Sequence, residues 1–449
     1  MGKEKTVNEG PIYDARTLGP SKMFILGLQH MFAMFGATVL VPALTGLDVA
    51  TTLLFAGLGT LLFHLLTKGM VPAFLGSSFA YLAGYWAIAP NGEAELLPYA
   101  CFAVAVSGLL YVILAAIIKS VGVNRVMRFF PPIVTGPIII AIGLILSSSA
   151  IDNCGANPLV AIVAILAVII CNMWGKGMIK IIPILIGVVV SYLVSMIVDP
   201  ASRQAVAQTV AQADWIGIPI HKDATVFGLF MNGADTGMLI TACITIVPLA
   251  IATMMEHIGD ICAISSTVER NYLVEPGLHR TLMGDGLATT FASLFGAPAN
   301  TTYGENTGVL ALSRVYDPRV IRIAAGLAIL LSFSPKFAAL VSAMPTATMG
   351  GVSMVLYGMI SAVGVRNIVE NQVDFTNSRN VIIAAIIMVL AIGVNYSGAV
   401  TFSVGSIEVS LSGLAVAAIA GIALNAVLPG KDYEFGEDEK GDTSVNFQV

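Results

Sequence analysis

The stretch Thr301–Gly308, TTYGENTG, sets a carboxylate, an amide and two glycines inside an apolar segment that runs from residue 301 to 315. A helix that crosses lipid needs about 20 mostly apolar residues. Gly, Thr and Asn are weak helix formers, so the helix is expected to be interrupted here. GSSFA, Gly76–Ala80, has the same character within the apolar stretch 71–89. An unwound backbone survives at membrane depth only where protein or a polar cavity satisfies its N–H and C=O groups. Two interrupted spans facing each other would therefore build a site near the middle of the membrane, as in carriers made of inverted repeats.

Outward from these two stretches, apolar runs fall at 22–45, 50–67, 98–118, 129–149, 158–173, 178–198, 235–257, 283–299, 318–342, 344–363, 380–395 and 409–428. With the interrupted pair the sequence predicts an all-α polytopic membrane protein. It has 14 transmembrane segments arranged as a 7+7 inverted repeat, with segments 3 and 10 interrupted by short extended stretches. Charge supports the count. With both ends in the cytoplasm, only Arg203, Lys222 and Lys336 fall outside, which leaves nineteen of the 22 basic residues inside. Such a bias is the expected mark of cytoplasmic loops. Omitting the interrupted pair would invert every loop between them and move about half of the basic residues to the other side.

Composition excludes the soluble classes. The 449 residues are 57% hydrophobic and 11% charged, with a mean hydropathy of +0.87, where a soluble chain carries about 25% charged residues. The net charge of -5 is concentrated near the end, in KDYEFGEDEKGDTSVNFQV at 431–449, which reads as a disordered acidic tail. The first 22 residues lack the pattern of a cleaved signal peptide. The five cysteines, Cys101, Cys154, Cys171, Cys243 and Cys262, are scattered, and four lie in apolar segments, as small core residues do. No metal-ligand spacing, phosphate loop or dinucleotide fingerprint occurs, and no basic face suits nucleic acid. No covalent chemistry, cofactor or metal is expected.

An acid kept in an apolar segment is a functional candidate, because a charge at the bilayer centre costs roughly 2.5–3.5 kcal/mol on insertion scales. Glu256, in IATMMEHIGDICA, is expected to close the eighth span. Asp260 lies one turn further on the same face, and His257 points elsewhere. The pair either faces a site or marks a helix end in the cytosol. Glu305 sits between Gly304 and Gly308, with Asn306 adding a donor and an acceptor. It either couples a proton to a ligand or ties the interrupted span to a neighbour. Phe79, Tyr303 and Tyr357 offer faces for a flat ligand. His30 is read either as a structural histidine or as part of proton transfer. Asp285 is read as bound to backbone or a neighbouring span, and His64, His221 and His279 as boundary or loop residues.

With these residues in place, the chain over 20–430 resembles the nucleobase-cation symporter family, also called the nucleobase-ascorbate transporters, and within it the uracil permease branch. The resemblance rests on LQHMFAMFGATVLVP, VPAFLGSSFA, EHIGD, EPGLHRTLMGDG, TTYGENTGV and LYGMI. The family signature, an acid or amide, then Asn-x-Gly, four residues and Thr-Arg, is matched by Glu305, Asn306, Gly308, Ser313 and Arg314, with Ser in place of Thr. Asp260 stands where the best-known uracil pattern has His, which weighs against an imidazole relay. Glu305 resembles the uracil branch, since purine carriers more often have Gln there.

The resemblance implies a division of the chain. A cytoplasmic segment at 1–20 precedes a first core part at 21–119 and a first gate part at 120–198. An extracytoplasmic loop at 199–234, a second core part at 235–342, a second gate part at 343–430 and the cytoplasmic tail at 431–449 follow. It implies a nucleobase pocket lined by Ala37, Phe79, Glu256, Tyr303, Gly304, Glu305 and Tyr357, with Glu256, Asp260, Glu305 and His30 in proton coupling. The implied activity is proton-coupled import of uracil by alternating access in the cytoplasmic membrane. Implied partners are uracil, protons, lipid and a second copy through the gate. The alternatives are a xanthine or uric acid carrier and a sodium-coupled nucleobase carrier; a channel or a non-transporting receptor fits the residues less well.

Overall fold

Proline in the first turn and short polar caps set most of the helix boundaries. The computed structural model describes residues 10–404 and 407–430, with backbone alone at 402–404 and 407–410. The expected acidic tail at 431–449 lies outside the described residues.

The chain opens with α1 (Pro20–Thr45), α2 (Val49–Leu66), β1 (Leu75–Ser77), α3 (Leu82–Ile88), α4 (Leu97–Val121) and α5 (Val123–Met127). It continues through α6 (Pro132–Gly155), α7 (Pro158–Trp174), α8 (Met178–Ile181), α9 (Pro183–Val198), α10 (Pro200–Gln212) and α11 (Val226–Met231). Next come α12 (Thr236–Ile246), α13 (Leu249–Val268), α14 (Leu278–Leu294), β2 (Asn300–Thr302), α15 (Gly304–Ser313), α16 (Pro318–Ser332) and α17 (Pro335–Ser342). The chain closes with α18 (Thr346–Glu370), α19 (Ser378–Ser397), β3 (Val400–Val404), β4 (Ile407–Leu411) and α20 (Gly413–Val427). Proline at the first turn starts α6, α7, α9, α16 and α17, where its missing N–H costs nothing. Asp48 and Asn157 cap α2 and α7 by accepting from the N–H of Thr51 and Val160.

The fold is that of a polytopic α-helical membrane protein. Among the described residues six helices, α1, α2, α4, α6, α18 and α19, are each long and apolar enough to cross a bilayer, and the number rises to nine if each of three bent pairs is one span. Apolar side chains point outward along these helices and along α7, where Leu159, Ile162, Leu166 and Met173 are more than half or about half exposed. Such an outer surface suits lipid.

Several expected boundaries move. The run ending at 257 continues as helix to Val268, so Glu256 lies inside α13 and does not close its span. His257 and Asp260 are buried there against neighbouring segments, so a polar patch that lowers hydropathy does not end the helix. The run at 283–299 is a helix from Leu278 to Leu294, stopped ahead of Gly296, whose φ of 85° belongs to the left-handed region. The run at 318–342 breaks into α16 and α17, which turn by 90°, and Ser334 caps the second piece at Phe337 N–H. Val400–Val404 and Ile407–Leu411 pair as antiparallel strands, so the last helix begins at Gly413 rather than 409. The expected loop at 199–234 carries the thirteen-residue helix α10, capped by Asp199.

Packing falls into two groups. In the first, α14 lies along α4 and α2, and α16 along α2 and α1; in the second, α18 lies along α6, α7 and α9, and α19 along α6 and α20. Glycine allows the α4–α14 approach: a Cβ on Gly108 would meet Thr290 Oγ1 at 2.4 Å and the Gly286 carbonyl oxygen at 2.6 Å. Close approach of backbones through small residues is the usual means of joining helices in lipid. Gly108→Leu is therefore expected to overpack this crossing at a cost of about 1–3 kcal/mol. A thermal unfolding midpoint in detergent unchanged from the parent protein would contradict this.

The segment before α1 is strapped across the ends of α13 and α16. Ile12 exchanges backbone hydrogen bonds with Arg314 and Tyr316, both 2.8 Å, and Tyr13 OH donates to the Val268 carbonyl at 2.8 Å. Asp14 accepts from Arg16 and Arg319, and the Arg16 guanidinium holds its carboxyl down to about 2.

Candidate functional site

The site is built where the two interrupted segments cross. β1 and β2 pair antiparallel, Leu75 opposite Thr302, Gly76 opposite Thr301 and Ser77 opposite Asn300. Three-residue strands leave many polar groups to satisfy, and threonines from adjoining helices take them up. Thr60 Oγ1 accepts from Leu75 N at 2.9 Å, and Thr289 Oγ1 donates to the Asn300 carbonyl at 2.9 Å. Past the strands, the Ser78 N–H donates to Ala299 O and the Tyr303 N–H to Phe74 O. Gly76 is required at the crossing, because a Cβ there would lie 2.4 Å from the Tyr303 ring. Tyr303 OH donates to the Ser77 carbonyl at 3.0 Å and locks the ring in place.

Beyond the crossing each segment restarts as helix, with Phe79–Tyr81 leading into α3 and Gly304 opening α15. Glu305 therefore occupies the first turn of α15, where the positive end of the helix dipole favours a negative group. Glu256 comes from α13, with Asp260 one turn further along the same face. Thr302 Oγ1 donates to Asp260 Oδ2 at 3.1 Å, which joins α13 to β2. Glu256 Oε2 is buried and has no hydrogen-bond partner among the described residues. A buried acceptor without a partner is costly, so this atom is a strong candidate for a ligand donor.

These groups share one cavity of about 440 Å³, within the usual range of small-molecule sites, about 300–1,000 Å³. Phe79, Glu256, Asp260, Tyr303, Gly304 and Glu305 line it. The cavity extends past Val309 and Val363 to Lys180 and Arg366. Phe79 also borders a separate void of only about 10 Å³, which Ile142, Ile145, Leu249 and Leu414 line.

Of the expected site residues, three do not line the cavity. Ala37 is fully buried and is not part of its wall. Tyr357, 1% exposed, packs its ring against the edge of Phe79 with centroids 5.8 Å apart, so it supports the aromatic wall from behind. His30 lies against Asn306, whose Nδ2 is 3.1 Å from both His30 Nδ1 and the His30 carbonyl oxygen. That contact ties α1 to α15 and holds the helix that carries Glu305. Asp285 pairs with His257 at 2.8 Å, both side chains fully buried, and so fixes α14 against α13 behind Glu256. The sequence reading missed the opposite wall, Ile139, Met359, Ile360 and Val363 from α6 and α18. Nothing in their chemistry separates them from lipid-facing residues.

A bundle of apolar helices around a cavity flanked by two broken spans and two acids defines a class: α-helical membrane proteins with a small-molecule site inside the bilayer region. Residues 21–400 match the Permease family (Xan_ur_permease), and the chain belongs to that family. It is a permease and not an enzyme. Among curated relatives, the uracil permease of Bacillus caldolyticus is 42% identical over 431 residues, covering 94% of each chain. The uracil permease of Bacillus subtilis (strain 168) is 38% identical over 464 residues and is matched end to end. The fold is also similar to the transmembrane domain of the cyanobacterial bicarbonate transporter BicA, with a TM-score of 0.56 at 15% identity over 92% of this chain and 99% of that one.

Proposed function

We infer that the protein imports uracil together with protons, by alternating access, through a single central site. The observation that carries this reading is the placement of Glu256, with its unpartnered Oε2, and Glu305 in one cavity beside Phe79 and Tyr303. Uracil presents N–H groups to a carboxylate acceptor and carbonyl oxygens to a protonated acid or a helix N-terminus. Glu256 accepts from the ring N–H groups. Glu305 is protonated in the loaded state, donates to a ring carbonyl and loses its proton as the base leaves. Phe79 covers one face of the ring. Asp260 takes up the proton that Glu305 releases, Glu256 sets that transfer by its charge, and His30 acts through Asn306 on the helix that bears Glu305. The identity to uracil permeases over nearly the whole chain supports uracil over a purine as the cargo.

The same reading extends to architecture. Adding the three shorter apolar helices to the nine possible spans, and then α14 and α15, gives fourteen. They fall into a core, 21–119 with 235–342, and a gate, 120–198 with 343–430. The two packing groups support this division. With both termini in the cytoplasm, Lys180 and Arg366 mark the cytoplasmic mouth, and the cavity faces inward. Two copies associate through their gates.

Radiolabelled uracil uptake into proteoliposomes under an imposed inward proton gradient tests the function. Accumulation is expected, abolished by a proton ionophore and unaffected by excess xanthine. Competition by xanthine, or uptake that follows a sodium gradient instead, would overturn the assignment of cargo or coupling ion.

A further inference from the structure

Beside the central cavity lies a second chamber of about 160 Å³, and Asp260, Gly304 and Arg366 belong to the walls of both. Its own lining is polar: Ser266 and Thr267 from α13, Thr307 from α15, and Asn367 and Glu370 from α18. Glu256 and Glu305, the acids that face the base, line the central cavity alone. The partition is thin along α15, because a Cβ on Gly304 or Gly308 would meet nothing within 4 Å. Asp260 therefore stands at a junction, with Oδ2 held by Thr302 at 3.1 Å.

We propose that this chamber is a water-filled proton outlet, which lets Asp260 discharge to the cytoplasm without passing through the central cavity. The proposal rests on the proton-coupled reading above. A chamber of this size, with hydroxyl, amide and carboxylate groups set among apolar residues of its wall, suits bound water. In the step envisaged, the Glu305 carboxyl gives its proton to the Asp260 carboxylate in the wall of the same cavity as the base leaves. Asp260 then gives that proton to a chamber water, so that both carboxylates end charged and one hydronium leaves. The groups that set this transfer are Glu256 on the same helix, Glu305 on α15, the His257–Asp285 pair behind α13, and Arg366 with its ion-pair partner Glu370 on α18. The arrangement separates the routes: the base leaves past Val309 and Lys180, and the proton leaves past Ser266 and Thr267.

Cys262 also lines the chamber and is absent from the central cavity. In a variant with Cys101, Cys154, Cys171 and Cys243 replaced by Ala, a cationic methanethiosulfonate reagent applied from the cytoplasmic side is expected to modify Cys262. The modified protein should exchange internal for external labelled uracil within about twofold of its original rate. Net uptake driven by the proton gradient should fall about tenfold. Thr267→Leu, made with the native cysteines in place, fills the chamber without reagent and should give the same split. Failure of Cys262 to react, equal loss of exchange and net uptake, or no change in either would overturn the outlet. A pH-sensitive dye separates this from a failure of the underlying reading: absence of proton entry with uracil in the unmodified protein overturns proton coupling itself, and the outlet with it.

Discussion

Glu256→Gln lowers uracil binding by about two orders of magnitude and takes net uptake with it. The substitution keeps the shape of the side chain but replaces one carboxylate oxygen by an NH2 group, which can only donate. A ring N–H that faced an acceptor then faces a donor. A hydrogen bond to a charged group is worth about 1.5–3 kcal/mol, and each 1.4 kcal/mol is about tenfold in affinity. The effect is therefore read directly by equilibrium binding of labelled uracil to purified protein. Binding within about threefold of the parent would remove Glu256 from the base contact. The buried His257–Asp285 pair and the Asp260–Thr302 bond lie outside the altered group, so the variant is expected to fold.

Glu305→Gln gives a different result. An amide resembles a protonated carboxyl in being able to donate, so the variant stays locked in the form proposed to hold the base. Uracil binding and exchange persist, whereas accumulation against a gradient falls by at least tenfold, because no proton is released from this position. The pH dependence separates the two proteins. In the parent, binding weakens as pH rises through the range in which Glu305 loses its proton; in Glu305→Gln that part of the dependence is absent, and binding stays flat. Equal pH profiles for the two proteins would show that Glu305 is not the proton-sensitive contact.

The crossing of the broken spans was readable from GSSFA and TTYGENTG because several poor helix formers cluster there inside apolar runs, whereas the single glycines at helix contacts leave the helix intact. Glu256 and Glu305 were readable as candidates for another reason, the cost of a charge in an apolar segment. The limits of helices were less so. Hydropathy measures contact with lipid, and α13 carries its polar residues toward protein, so the span continued past the point where the apolar run stopped. Distinguishing Tyr357 from Phe79 was beyond pattern as well: both are aromatic residues in apolar segments, and only tertiary packing decides that one ring faces the cavity and the other stands behind it. The wall from α6 and α18 left no trace, since Ile139 and Val363 line the site by position alone.

The pairing of Leu75 with Thr302 also constrains the order of events during biosynthesis. The two residues are 227 positions apart, from 302 less 75. At about 5–20 residues per second on the ribosome, about 11–45 s separate their emergence. Throughout that interval the backbone of residues 75–77 has no partner strand, although the flanking helices are already in the membrane. The first broken segment must wait for its counterpart in a protein-lined or hydrated environment, and a chain truncated before Asn300 would leave it a natural target for quality-control proteolysis.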